Sequence, residues 1–127
     1  MPYKVFISST FKDIDLARDL SRRLQEVDIS VCPLDERVEP VGATLGKIVQ
    51  DLSRADEVFV ILTDNSVDNP YLMYELGAAT SLRKRVTPII VGLEPSKLPS
   101  LLKGLKYIKY PDLSKYISAL EKRSKAA

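Results

Sequence analysis

The stretch EVFVILT, residues 57–63, decides the fold. It is apolar almost throughout, as a strand is when both of its faces are buried, and that places it at the centre of a parallel sheet. Upstream, YKVFIS (3–8) is a short β-prone run and ISVCPL (29–34) a second one. The proline near the end of the second assigns it to an edge. Downstream, VTPIIVG (86–92) reads as a fourth strand and KYIKY (106–110) as a weaker fifth.

Helical periodicity fills the gaps between strands. DIDLARDLSRRLQEV (13–27) sets Ile14, Ala17, Leu20, Leu24 and Val27 on one stripe. TLGKIVQDLSRA (44–55) does the same with Leu45, Ile48, Val49 and Leu52, and DLSKYISALEKRSK (112–125) with Leu113, Tyr116, Ile117 and Leu120. A further helix begins at Asn69 and Pro70, since Asn caps a helix and Pro suits its first turn. In it Gly77, Ala78 and Ala79 suggest close approach to the sheet. LEPSKLPSLLKGL (93–105) is an irregular connector. Strand–helix alternation implies a parallel sheet covered by helices. The expected fold is α/β, a flavodoxin-like three-layer arrangement with five parallel strands in the order 2-1-3-4-5. Residues 1–127 read as one domain, without internal repeat, linker or low-complexity segment.

Composition narrows the function. Hydrophobic residues make up 45% and charged residues 28%, ordinary for a soluble globular protein. Net charge is +2, too small to imply nucleic-acid binding, and LRKR (82–85) reads as a solvated run. No apolar run reaches the ~18 residues of a membrane span, and the start is too short in apolar residues for a signal peptide. The single cysteine, Cys32, allows no intrachain disulfide, fits a cytoplasmic setting and reads as a buried, inert thiol. The chain has no histidine, which removes Ser-His and Cys-His pairs, HExxH zinc sites and any His base. No GxGxxG is present, GATLGK (42–47) is one residue short of a Walker A loop, and no cluster has the spacing of a metal site.

In doubly wound sheets, ligands bind beyond the carboxyl ends of the strands, where the order reverses. That rule selects SSTFKD after the first strand, DERVEPVGA (35–43) after the second and TDNSVDNP after the third. The helix that follows carries Glu75, whose i±3 and i±4 neighbours Tyr71, Leu72, Ala78 and Ala79 include no base. Buried carboxylates need a partner. Glu75 therefore either meets one from elsewhere, such as Lys12 or backbone N–H groups of the first loop, or works at the mouth of a cleft. Around it stand Ser8, Ser9, Thr10, Phe11, the loop acids Asp35, Glu36 and Glu39, and Tyr71. This kit suits cleavage of a ribose N-glycosidic bond, where a carboxylate stabilises an oxocarbenium-like transition state. Nicotinamide leaves NAD⁺ as a neutral base, so neither acid, His nor metal is required.

VFISSTFKD (5–13), LDERVEPVGATL (34–45), DEVFVILT (56–63) and NPYLMYELGAA (69–79) together resemble a Toll/interleukin-1 receptor (TIR) domain, bacterial or archaeal in type. The resemblance runs from Tyr3 to about Tyr110. Bacterial members place Trp, Cys and, three positions later, Glu on this helix, and here Tyr71, Leu72 and Glu75 occupy those places. The resemblance implies that Glu75 is the catalytic residue of an NAD⁺ glycohydrolase or cyclase acting in signalling or immune defence. NAD⁺ would be its substrate, with no cofactor. It also implies that residues 35–43 form the BB loop, which gates the pocket and takes part in homo-oligomerisation through TIR–TIR contacts. No nucleic-acid or membrane partner is implied. Where the family often has Tyr or Phe after FIS, this chain has Ser9 and then Thr10, with Phe11 next. Two alternatives stand beside the enzyme. One is a non-catalytic scaffold that self-associates. The other is a nucleotide-binding protein like the nucleoside deoxyribosyltransferases, which YELGAA followed by RVTPIIV also resembles.

Overall fold

The computed structural model describes residues 3–32 and 43–126, with side chains in the helix from Ala43 described from Val49 onward. Five strands, β1 (Lys4–Ser8), β2 (Ser30–Val31), β3 (Glu57–Leu62), β4 (Arg85–Ile90) and β5 (Ile108–Lys109), form one sheet in the order β2-β1-β3-β4-β5. Every pairing is parallel. All six residues of β3 are buried, and β3 lies between β1 and β4, as its apolar run requires. Ser8 pairs with Val60 and Glu57 with Val5, so β1 and β3 run in step up to the point where β1 ends.

Four helices cover the sheet: α1 (Ile14–Glu26), α2 (Ala43–Arg54), α3 (Pro70–Ser81) and α4 (Leu113–Ala126). Side chains alternate across a strand, so each face has its own core. On one face, Phe6, Val58, Val60 and Leu62 pack with Leu52 of α2 and with Leu72, Leu76 and Ala79 of α3. On the other, Val5, Ile7, Phe59 and Ile61 pack with the α1 and α4 stripes, including Leu20, Leu24, Ile117 and Leu120. Burying a Leu, Ile, Val or Phe side chain contributes roughly 1.5–3 kcal/mol, and these two layers hold the three-layer stack together.

Departures from the sequence reading have local causes. α1 begins at Ile14, the first residue of its stripe, one residue inside the expected span 13–27, because residues Phe11–Asp13 form a 3₁₀ turn that leads into it. In α2, Leu52 is buried but Val49 is 37% exposed, so the stripe is narrower than the spacing implies. Gly77 lies on the outer side of α3, and a Cβ built there would meet nothing within 4 Å. Close approach of α3 to the sheet rests on the fully buried Ala79 instead. Gly92, at φ +62°, bends the chain two residues after β4 in a conformation that favours glycine. The connector 93–105 forms two short 3₁₀ turns, Pro95–Lys97 and Ser100–Leu102, and buries Leu98 and Leu102 against the α2–α3 face. Cys32 is buried. Of the expected loop 35–43, Ala43 instead begins α2, and residues 35–42, with Asp35, Glu36 and Glu39, lie outside the described residues.

Candidate functional site

Glu75 owes its position to how α3 starts. Asn69 Oδ1 accepts a hydrogen bond from Leu72 N at 3.0 Å, and Pro70 occupies the first turn. This cap sets the phase of the helix, and residues 72, 75, 76 and 79 form its buried stripe. Glu75 is therefore a carboxylate set in an otherwise apolar stripe, and it is 1% exposed. One partner comes from the sheet. Ser8, fully buried at the carboxyl end of β1, donates its Oγ–H to Glu75 Oε1 at 2.7 Å. A short O–H···O⁻ bond of this kind is among the stronger hydrogen bonds a buried carboxylate can accept. Lys12 is exposed.

The neighbouring loops are tied by a second carboxylate, Asp13, which the sequence reading passed over. Asp13 Oδ2 accepts from Thr10 Oγ1 at 3.1 Å and Thr63 Oγ1 at 2.8 Å, and Oδ1 accepts from Asn65 Nδ2 at 3.2 Å. Ser66 Oγ accepts from Thr63 N at 2.8 Å and tightens the turn after β3. The loops after β1 and β3 are thereby locked to each other at the point where the strand order reverses. The local signal was a Thr three residues before an Asp at a helix entrance, a pattern in which short polar side chains bond nearby backbone and one another.

Of the other candidates, Thr10 is buried and turned toward Asp13, Ser9 is partly exposed, and Phe11 stands 78% exposed. Tyr71, one turn before Glu75, is partly buried and packs against the α2–α3 core. Ser8 and Glu75 are thus in direct contact, Tyr71 lies one helical turn away, and Glu36 and Glu39 fall outside the described residues. Among the described residues no group of three or more Cys, Asp or Glu is placed to hold a metal ion.

Glu57, at the start of β3, is a third buried carboxylate, 0% exposed. It lies on the opposite face, the one that carries Phe59 and Ile61. Tyr3 Oη donates to its Oε1 at 2.7 Å, and Tyr116 Oη (2.6 Å) and Thr87 Oγ1 donate to its Oε2. Burial, and then the hydrogen bond to this carboxylate, push the Tyr3 and Tyr116 hydroxyls above the usual tyrosine range. Three donors from distant parts of the chain satisfy one anion, a pairing that no local pattern announces.

A family model described as TIR domain matches residues 5–123. Among solved structures, the TIR domain of the Toll-related receptor TRR-2 from Hydra magnipapillata superposes with a TM-score of 0.69 at 19% identity, covering 95% of this chain and 93% of that one. A prokaryotic SEFIR domain gives 0.67 at 22% identity, over 94% and 90% of the two chains. The CMP N-glycosidase BcmB of Clostridium botulinum gives 0.63 at 20% identity, over 94% and 98%. No curated protein matches the chain in sequence.

Proposed function

This chain belongs to the TIR domain family, and from that premise we propose that it cleaves the bond between nicotinamide and ribose in NAD⁺, with Glu75 as its catalytic carboxylate. The observation that carries the reading is the 2.7 Å contact between Ser8 and Glu75, which fixes a carboxylate beside the end of β1 at the reversal of strand order. In the proposed reaction the C1′–N bond breaks and its electron pair goes to the pyridine nitrogen, so nicotinamide leaves neutral. Positive charge develops on the ribose, and the Glu75 carboxylate stabilises it. Capture of C1′ by water, with loss of a proton, gives ADP-ribose, and capture by a base nitrogen gives a cyclic isomer. N-glycoside cleavage on this fold has a precedent in the CMP N-glycosidase of Clostridium botulinum.

Glu75 is 1% exposed, so the substrate reaches it only after the site opens. A closed ground state makes turnover depend on a conformational step, and self-association through family-type contacts is the step we propose. The same burial favours a second reading, a self-associating module in which Glu75 only braces α3 against β1. Incubating micromolar protein with NAD⁺ and separating nicotinamide by chromatography tests the two. Nicotinamide release whose specific rate rises with protein concentration supports the enzyme. Its absence at every concentration leaves the scaffold.

A further inference from the structure

Positive charge collects at the β5 edge of the sheet. Two adjoining cavities of about 550 and 510 Å³ share Tyr107, Ile108 and Tyr116. Their walls carry Arg85, Lys106, Lys109, Lys115 and Arg123 against one acid, Asp112. That is a local charge of +4 in a chain whose total is +2. The cations come from β4, the segment around β5, and α4, so the tertiary fold rather than a local run brings them together.

On α1 and at the end of α4, several cations are neutralised. Arg18, Arg22, Arg23 and Lys125 each reach an Asp or Glu one helical turn away. In the groove, among the described residues, Arg85, Lys106, Lys109 and Lys115 form no ion pair. Arg123 lies 4.0 Å from Glu57 and 5.7 Å from the centre of the Tyr116 ring. Glu57 itself is fully buried behind the hydroxyls of Tyr3, Thr87 and Tyr116, so it presents no oxygen to the groove, while its charge offsets that of Arg123 and leaves the lining net positive. A concave patch of one sign concentrates anions. Tyr107, 38% exposed, adds an aromatic face between the two cavities. Each cavity falls within the roughly 300–1,000 Å³ of small-molecule sites. Cations that grip phosphate beside a ring that stacks is the chemistry that reads a nucleotide.

We propose that this groove is a second ligand site, which binds a nucleoside phosphate with its phosphate among Arg85, Lys106 and Arg123 and its base against Tyr107. Ser8 and Glu75 sit on the face of the sheet that carries Phe6 and Val60, while the groove adjoins Glu57 and Tyr116 on the other face. The sheet separates the two sites, so the groove acts on an effector and stands whether or not Glu75 is catalytic.

Adenosine 5′-monophosphate, which has no nicotinamide to release, is the probe, titrated into ¹⁵N-labelled wild-type protein. Amide shifts at residues 85–87, 106–109 and 123 are expected. Lys106→Glu with Lys109→Glu should weaken binding at least about tenfold, as loss of charge-assisted contacts does. Tyr107→Ala should weaken binding of the nucleotide but not of inorganic phosphate. All three substitutions are at the surface, and melting curves report whether the fold is kept. Shifts confined to Ser8–Thr10 and α3 would overturn the proposal, as would affinity unchanged by charge reversal, or inorganic phosphate binding as tightly as the nucleotide. Far tighter binding of a single-stranded oligonucleotide would also overturn it, in favour of a nucleic-acid interface.

Discussion

Replacing Glu75 by Gln separates the catalytic reading from the bracing one. Gln has nearly the shape of Glu, so Leu72, Leu76 and Ala79 keep their packing and Ser8 Oγ still donates to a side-chain oxygen. What is lost is the charge on the acceptor, worth about 1 kcal/mol of the hydrogen bond. Against this, the neutral amide is cheaper to bury than the carboxylate. Unfolding entropy of about 2.1 cal/mol/K per residue gives a 127-residue chain roughly 0.27 kcal/mol/K, so 1 kcal/mol is about 4 °C in Tm. We expect Glu75→Gln to melt within about 4 °C of wild type. Nicotinamide release should fall by roughly 10²–10³, the usual loss when a preorganised electrostatic partner is removed. Ser8→Ala should behave differently, because it removes a donor from a buried carboxylate and costs about 1–3 kcal/mol. Melting and turnover are measured on the same preparations. If Glu75→Gln lowers Tm while turnover per folded molecule survives, Glu75 is a brace and the proposed chemistry is wrong.

Gly77→Ala should raise stability by up to about 1 kcal/mol without touching the site, since the glycine is exposed in mid-helix and its Cβ meets nothing; an unchanged or lower Tm would count against it. Asp13→Ala should cost about 2–4 kcal/mol in chemical denaturation, because Thr10, Thr63 and Asn65 all lose their acceptor, while Asp13→Asn should cost distinctly less. The Tyr110 hydroxyl, with Arg22 and Arg23, holds the Asp19 carboxyl below its usual range. Its stabilisation is therefore present above the unfolded value of about 3.9 and is lost as pH falls through the lower folded one. Asp19→Asn should accordingly destabilise at pH 7, with the difference from wild type closing in acid melts. Tyr3 has its pKa raised, so its stabilisation is complete below the unfolded value of about 10 and disappears as pH rises through the higher folded one. Tyr3→Phe should be the less stable protein at pH 8, and its gap to wild type should shrink in alkaline melts.

The sequence by itself determined the layout. The apolar run of β3 required a central strand, and the stripes on α1 and α4 required helices packed on a sheet, while their sharing one face is a result of the tertiary structure. Asn69 and Pro70 marked where α3 begins, and with it the turn that carries Glu75. These signals are local, because hydrophobic period and capping chemistry act over one or two turns of chain. Only the tertiary structure decided what the charges do. Glu75 meets Ser8 across 67 residues, and Glu57 collects hydroxyls from residues 54, 30 and 59 positions away. The β5 groove gathers Arg85, Lys106 and Arg123 from separate elements. A hydrogen bond or an electrostatic field depends on distance in space, and for pairs this far apart in the chain that distance exists only once the sheet has assembled.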